Sequence, residues 1–316
     1  MNDNQKLLFY SNAILKDGDF HDELAPAVVG YADLLFSITN IDGNLAAHRS
    51  HIETANGNAI GTFWAARCVM EISRTQRFVK SLAAAINDVK ATKPEEAVHV
   101  LYAGTGPFAA LALPIMATHL PADVQFTLLE INPESYSMVK VVLEKFNFNT
   151  FVSGIELTDA TIWKIENQHF DIVLSETMDR ALLKEPQVSI MLNIASQLKN
   201  ETPIFIPEEI VVSLSARRQN ETDKIHLINL ISFNRDYMFD LIRKSEKGQW
   251  DFEEISVSFN ADDKLYFETE ITVYKDYKLI GNDSSLNFST PIKLDKAKDH
   301  LTFRYTNVST PGFHFQ

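Results

Sequence analysis

The feature that most constrains this fold is an alternation of apolar strand-like segments and helical segments between residues 95 and 206. The apolar runs that have the length and composition of buried strands are residues 98–102, 125–130, 151–154 and 170–174. Between the second and third run, residues 134–146 have the spacing of a helix. Strands that alternate with helices along the chain form a parallel sheet covered on both faces. We therefore predict an α/β domain with a parallel sheet over residues 95–206.

The chain has a different pattern on either side of this domain. Residues 1–94 have apolar residues at spacings of three and four, which is typical of helices, and Pro94 ends that stretch. After residue 206 the helical spacing mostly disappears, and apolar runs separated by polar turns predict an antiparallel β-barrel-like or sandwich domain over 207–316. Its predicted strands are residues 210–214, 254–259, 265–274, 286–288 and 301–305. A helix-like segment at about 224–244 interrupts them.

Composition excludes several kinds of function. The chain has 316 residues, of which 45% are apolar, and no apolar run reaches the roughly 18 to 20 residues that span a bilayer. Its net charge of −13 argues against nucleic acid as the main partner and is compatible with a cationic substrate. Cys68 is the only cysteine, so disulfides and cysteine-built metal sites are excluded within one chain. Because no signal-peptide pattern is present, we expect a cytoplasmic protein without membrane contact. The nine histidines are scattered, and His48 and His51 have no carboxylate partners at ligand spacing, so we expect no metal site.

A glycine turn follows the first predicted strand. Gly104 and Gly106 stand in this turn, where glycine lets the backbone approach a ligand closely. The second strand ends in Glu130, and a carboxylate at that place can accept hydrogen bonds from both ribose hydroxyls of a nucleoside. No phosphate-loop lysine follows the glycines, which argues against ATP, whereas Ala109 at the third glycine position leaves NAD open. The turn and the carboxylate together predict a nucleoside cofactor.

Two glutamates, Glu176 and Glu185, follow the fourth predicted strand nine positions apart. A guanidinium is planar, permanently charged and carries five donors, so two convergent carboxylates can hold it from two directions. A loop that leaves the strand and turns back can bring the two glutamates together. By spacing alone they are more often two solvated acids, and the nucleoside motif upstream is what makes the pair a candidate site.

These motifs resemble those of the protein arginine methyltransferase family, and most closely its branch that makes symmetric dimethylarginine. The blocks that carry the resemblance are residues 104–107, 129–133, 158–163 and 175–185. The resemblance covers roughly residues 60–305. It implies a Rossmann-like class I methyltransferase domain with an N-terminal helical segment and a C-terminal antiparallel β-barrel-like domain. The cofactor that it implies is S-adenosylmethionine, with S-adenosylhomocysteine as the product.

The resemblance also implies the roles of particular residues. Glu176 and Glu185 would be the catalytic pair that holds the substrate cation. The cofactor-binding residues would be Arg74, Gly104, Gly106, Glu130, Asp159 and Ala160. Arg74 would bind the methionine carboxylate of the cofactor, since a guanidinium can donate two parallel hydrogen bonds to a carboxylate. Asp159 would bind the adenine amino group. The C-terminal domain would serve substrate binding and dimerisation, with the segment near 224–244 as a candidate arm of a homodimer.

The chain departs from the family pattern in ways that keep the substrate open. The first strand ends in Tyr102 where many members have an acid, and Thr290 stands where an aromatic residue would cover the guanidinium. The first hypothesis is a methyltransferase that acts on arginine or on another guanidino or amino group. The second is a methyltransferase of small biosynthetic molecules, and the third is a non-catalytic binding protein. Retention of both loop glutamates together with Glu130 argues against the third.

Overall fold

The computed structural model describes residues 1–18, 21–166, 169–198, 203–219, 221–245, 249–294 and 298–316. Its helices are α1 (Asp3–Leu15), α2 (His21–Thr39), α3 (Ala46–Arg49), α4 (Thr62–Cys68), α5 (Ile72–Thr92), α6 (Leu113–Thr118), α7 (Pro133–Phe146), α8 (Gln187–Ala195) and α9 (Arg235–Lys244). Its strands are β1 (Ile52–Thr54), β2 (Gly57–Ala59), β3 (Val98–Ala103), β4 (Val124–Glu130), β5 (Val152–Leu157), β6 (Ile172–Ser175), β7 (Ile204–Ile206), β8 (Glu209–Arg217), β9 (Ile225–Asn234), β10 (Glu254–Ser258), β11 (Lys264–Tyr274), β12 (Tyr277–Leu279), β13 (Thr290–Pro291), β14 (His300–Thr306) and β15 (Gly312–Phe315). Within these ranges, no helix is long and apolar enough to cross a membrane.

A five-stranded parallel sheet with the order β5-β4-β3-β6-β7 lies at the centre of the chain. The predicted Rossmann-like α/β domain is confirmed, with its four predicted strands present as β3, β4, β5 and β6. The short strand β7 was missed. Every residue of β6 and nearly every residue of β3 and β4 is buried, as expected for parallel strands covered on both faces.

The N-terminal helices pack over this sheet and its helices. Helix α1 contacts α2, α5 and α6, and α2 contacts α7. The fully buried Tyr31 of α2 donates a hydrogen bond from its hydroxyl to the carbonyl of Ala110, at 2.8 Å. Helix α5 also contacts β11 and β12. It therefore lies between the parallel sheet and the C-terminal strands.

The prediction of helix throughout residues 1–94 is wrong at one place. Strands β1 and β2 form an antiparallel hairpin in which Ile52 pairs with Ala59. Gly57 has φ of +134°, a backbone angle that other residues resist, and the hydroxyl of Thr54 donates to the Gly57 carbonyl at 2.7 Å. These local interactions close the turn, and the Asn56-Gly57 pair is a turn signal that the helical prediction did not take into account.

The C-terminal part forms two antiparallel sheets. One has the order β12-β11-β8-β9, with β13 also paired to β11, and the other has the order β10-β14-β15. The antiparallel domain predicted after residue 206 is thus present. The helix predicted over 224–244 is wrong in its first half, because β9 pairs along β8, and helix α9 begins only after Asn234. The strand predicted at 286–288 is also wrong, since Ser285–Asn287 form a short 3-10 helix.

Candidate active site

The carboxyl edge of the parallel sheet opens into a cavity that contains all eight predicted site residues. Ala103 at the end of β3 is in register with Leu129 of β4 and with Ser175 of β6, so the segments that follow these strands meet. The cavity has a volume of about 1040 Å³, including the solvent space at its mouth. The predicted site residues on its wall are Arg74, Gly104, Gly106, Glu130, Asp159, Ala160, Glu176 and Glu185. The structure therefore brings them together, while their roles stay predictions.

The two glycines of the turn after β3 have backbone angles that favour glycine. Gly104 has φ of +80° and Gly106 has φ of +58°. A Cβ atom added to Gly104 would lie 2.2 Å from Cγ2 of Thr177, which is far inside van der Waals contact. The glycine at 104 thus permits close packing between this turn and the loop after β6.

Glu130 is held at the end of β4 by backbone amides. Its Oε2 accepts a hydrogen bond from the amide of Gly106 at 2.7 Å, and its Oε1 accepts one from the amide of Asn132 at 2.8 Å. The side chain is only 6% exposed, and this burial raises the pKa of Glu130 although the amides act in the opposite direction. The carboxylate is therefore oriented before any ligand binds. The amide of Gly106, in the glycine turn, already donates to the carboxylate of Glu130.

The loop after β5 carries Asp159 and Ala160. Oδ1 of Asp159 accepts a hydrogen bond from the amide of Thr161 at 2.8 Å. The buried Asn193 of α8 donates from its Nδ2 to the carbonyls of Ala160 and Trp163, both at 2.9 Å. Helix α8 thereby holds the loop against the cavity.

Arg74, in the first turn of α5, pairs with two glutamates. Its Nε and Nη2 donate to Oε2 of Glu176 at 3.1 and 2.6 Å, and its Nη1 donates to Oε1 of Glu71 at 3.0 Å. The carboxylate of Glu71 in turn accepts hydrogen bonds from the amide and hydroxyl of Ser285, at 2.7 and 2.8 Å. Arg74 therefore connects the candidate catalytic pair to the C-terminal domain through Glu71.

The two loop glutamates differ in their surroundings. Oε1 of Glu176 is buried and has no hydrogen-bond partner among the residues that the structure describes. Burial raises the pKa of Glu176 against the opposing charge of Arg74. In the described part of the chain, no ion pair or hydrogen bond engages the carboxylate of the half-buried Glu185. Burial, together with the charge of Glu176, raises the pKa of Glu185 to about 8. The pair thus presents unsatisfied carboxylate oxygens to the cavity.

The loop between these glutamates has a strained backbone. Ala181, Leu182 and Lys184 have φ of 55°, 54° and 64°, in the left-handed region that non-glycine residues rarely adopt. Such residues cost of the order of 1–3 kcal/mol each and persist only where the surrounding structure holds them.

Contacts from outside the loop hold it in this conformation. Oγ1 of Thr269 accepts from the amide of Ala181, and the hydroxyl of Tyr305 donates to the carbonyl of Leu182, both at 2.9 Å. The amide of Lys184 donates to the carbonyl of Pro311 at 2.8 Å. The C-terminal domain therefore positions the loop that ends at Glu185. Sequence reasoning missed these residues because nothing near Thr269 or Tyr305 in the chain indicates a contact with the loop.

The hairpin of β1 and β2 forms part of the cavity wall through Thr54 and Ala59, and Ile60, which directly follows β2, continues this wall. Nδ2 of Asn56 donates to Oγ1 of Thr161 at 2.9 Å, and the amide of Asn58 donates to the carbonyl of Lys184 at 2.8 Å. The hairpin thus connects the loop after β5 to the loop after β6. It was missed because the prediction for residues 1–94 was wholly helical.

Cys68 and Thr290 differ in their position relative to the cavity. Cys68 lies half-buried on the cavity wall, where burial raises the pKa of its thiol to about 11. Thr290 stands where the family resemblance places an aromatic residue over the guanidinium. It lies in β13 and pairs with Phe267 of β11. It is not among the residues of the cavity wall.

Comparison with known proteins gives structural similarity alone, since no family model and no curated protein matches the sequence. The Trypanosoma brucei PRMT1 enzyme-prozyme heterotetrameric complex with AdoHcy matches with a TM-score of 0.46 and 13% identity, over 75% of this chain and 84% of that chain. Arabidopsis thaliana protein arginine methyltransferase 10 matches with a TM-score of 0.40 and 11% identity, over 72% of this chain and 84% of that chain. These proteins belong to the family that the sequence motifs resemble. At such low identity and TM-score, the matches carry no argument about activity.

Proposed function

We propose that this protein is an S-adenosylmethionine-dependent N-methyltransferase that acts on a guanidino or amino nitrogen held between Glu176 and Glu185. The observation that supports this proposal is that one cavity contains both a carboxylate suited to a ribose and a pair of carboxylates suited to a cation. Glu130 stands at a strand end, where a nucleoside ribose binds in open α/β sheets, and the glutamate pair faces the same space.

The charges of the cavity wall favour this cofactor over a dinucleotide. Among the described residues the wall has four acids, Glu130, Asp159, Glu176 and Glu185, and one base, Arg74. A diphosphate would bring further negative charge into that field, whereas a sulfonium brings positive charge. We assign the ribose to Glu130, the adenine edge to Asp159 and Ala160, and the carboxylate of the cofactor to Arg74. Gly104 and Gly106 leave room for the ligand.

Bound S-adenosylmethionine supplies a methyl group on a sulfonium, whose sulfur keeps the electron pair of the broken bond when a substrate nitrogen takes the methyl. Glu176 and Glu185 hold the substrate group and direct the lone pair of one nitrogen along the line of transfer. An amino substrate has that lone pair only after its ammonium form has lost a proton. Both carboxylates also stabilise the charge that develops there. Because Arg74 already engages Glu176, we assign the proton acceptor to Glu185.

A small biosynthetic molecule is the second candidate substrate. Two observations favour it: Thr54 and the nearby Ile60 close one side of the cavity, and Thr290 lies away from the cavity wall.

A homodimer, a cytoplasmic location and the domain boundaries after residues 94 and 206 stay predictions. Size-exclusion chromatography with light scattering tests the dimer.

Calorimetry with S-adenosylhomocysteine tests the cofactor, and absence of binding at high protein concentration refutes it. Incubation with methyl-labelled S-adenosylmethionine and separate pools of arginine peptides, small guanidines and small amines then identifies the substrate class.

The variants Glu176→Gln and Glu185→Gln should abolish methyl transfer and leave affinity for S-adenosylhomocysteine within a few-fold of the wild-type value. Full activity of either variant on the identified substrate would show that the pair is not the clamp.

A further inference from the structure

Tyr102 lies between the two groups of carboxylates in the cavity. It is in register with Leu128 of β4 and with Leu174 of β6, the strands on either side of β3. Residues two apart along a strand point to the same face of the sheet. Glu130 is the last residue of β4, two positions beyond Leu128, and Glu176 directly follows the last residue of β6. Tyr102 therefore occupies the floor of the cavity between the nucleoside side and the substrate side.

The hydroxyl of Tyr102 has no partner within the described residues, although the side chain is only 4% exposed. Buried tyrosines usually find a hydrogen-bond partner. Other buried tyrosines of this protein follow that rule, since Tyr31 donates to the carbonyl of Ala110 and Tyr305 donates to the carbonyl of Leu182. Because Tyr102 lines the cavity, its hydroxyl is available to a ligand there.

The chemistry of the cavity indicates which part of a ligand contacts the hydroxyl of Tyr102. Burial, together with the charges of Glu176 and Glu130, raises the pKa of Tyr102, so that its hydroxyl stays neutral and keeps an acceptor oxygen. The same acidic surroundings favour a cation next to that oxygen. In the cofactor of the proposed function, the amino acid arm leaves the sulfur between the nucleoside and the transferred methyl. It carries an ammonium group as well as the carboxylate assigned to Arg74.

Resting on that proposed function, we propose that the hydroxyl of Tyr102 binds the amino acid arm of S-adenosylmethionine by accepting a hydrogen bond from its ammonium group. Tyr102 is thus a further cofactor-binding residue. It also marks the boundary between the nucleoside and substrate parts of the cavity.

The test compares wild type with Tyr102→Phe on three ligands by calorimetry. S-adenosylhomocysteine has the whole arm, S-adenosyl-3-thiopropylamine keeps the amine without the carboxylate, and 5′-methylthioadenosine lacks the arm. Loss of a hydrogen bond to a charged group should weaken binding of the first two ligands roughly tenfold or more. Binding of 5′-methylthioadenosine should change by less than about twofold, as should all three affinities in the control Tyr277→Phe.

Thermal unfolding separates ligand binding from a structural role. Because the hydroxyl has no partner among the described residues, Tyr102→Phe should unfold at the wild-type temperature without ligand and show a smaller upward shift with S-adenosylhomocysteine. Unchanged affinity for S-adenosylhomocysteine, or an equal loss for all three ligands, overturns the inference. A loss confined to S-adenosylhomocysteine overturns the ammonium contact in favour of the carboxylate. A wild-type protein that binds none of the three refutes the proposed function itself.

Discussion

Arg74 and Glu176, 102 positions apart in the chain, form a nearly buried ion pair in which two guanidinium nitrogens approach one carboxylate oxygen at 2.6 and 3.1 Å. Their side chains are 8% and 10% exposed. This contact joins a predicted cofactor-binding residue to a predicted catalytic residue. Under the proposed assignment, the cofactor carboxylate must share Arg74 with Glu176. Arg74 already orients Glu176 in the ligand-free protein.

Replacing Arg74 should destabilise the protein strongly. Arg74→Ala leaves the carboxylates of Glu176 and Glu71 without their cationic partner, and breaking a buried pair in this way costs roughly 3–5 kcal/mol. Urea unfolding should show that loss in the free energy of unfolding. The control is Arg218→Ala, whose exposed side chain approaches Glu221 only at 4.0 Å, with an expected change below about 1 kcal/mol. Equal effects of both substitutions would contradict a structural role of the Arg74 pair.

The stability of the ligand-free protein should depend on the ionisation of Glu185. Its pKa is raised to about 8 in the folded protein, from an ordinary value of 4.5, so the folded state binds the proton more tightly. The resulting stabilisation is complete below pH 4.5 and is lost as the pH rises through 8. The slope is at most about 1.4 kcal/mol per pH unit, and smaller where solvent reaches the carboxyl.

Urea unfolding of wild type and Glu185→Gln at several pH values between 5 and 9 measures this effect. The free energy of unfolding of wild type relative to the variant should fall as the pH rises. Glu270→Gln, at an exposed position of β11, should follow wild type. A difference between wild type and Glu185→Gln that stays constant over this range would mean that the Glu185 carboxyl is not perturbed.

The glycine at 104 should be required for packing as well as for its backbone angle. Gly104→Ala places a Cβ atom 2.2 Å from Thr177 at φ of +80°, so it should combine strain with a clash. Gly281→Ala is the matched control, because Gly281 has φ of +59° and no atom of the described residues lies within 4 Å of the added Cβ. The control should lose about 1–2 kcal/mol from strain alone. The Gly104 variant should lose more and bind S-adenosylhomocysteine poorly, and equal losses with intact binding would argue against the close contact.

The Thr269 hydroxyl should stabilise the strained loop. Thr269→Val leaves the buried amide of Ala181 without an acceptor, which costs about 1–3 kcal/mol. Thr269→Ser keeps the acceptor and should lose much less. Thr272→Val, in the same strand β11, should have little effect. Hydrogen exchange of the amides of residues 181–185 reports on the loop directly, and it should increase in Thr269→Val alone among these three variants.

The regular elements were largely predictable because they depend on local patterns. Apolar runs of strand length and a glycine turn located β3, β4 and β6. Segments with ambiguous spacing were not predictable in this way. Residues 225–234 have apolar residues at intervals that fit either a helix or a strand, and only pairing with β8 makes them β9.

The sequence by itself located eight residues of the candidate site, because strand ends, glycines and paired acids are visible as local motifs and the family resemblance added Arg74, Asp159 and Ala160. Only the tertiary structure decided how those residues are arranged. The pairing of Arg74 with Glu176, the anchoring of the glutamate loop by Tyr305, and the hairpin wall with Thr54 all join segments that lie far apart in the chain. Such contacts depend on how the three parts of the chain pack together, and no local pattern of residues encodes that packing.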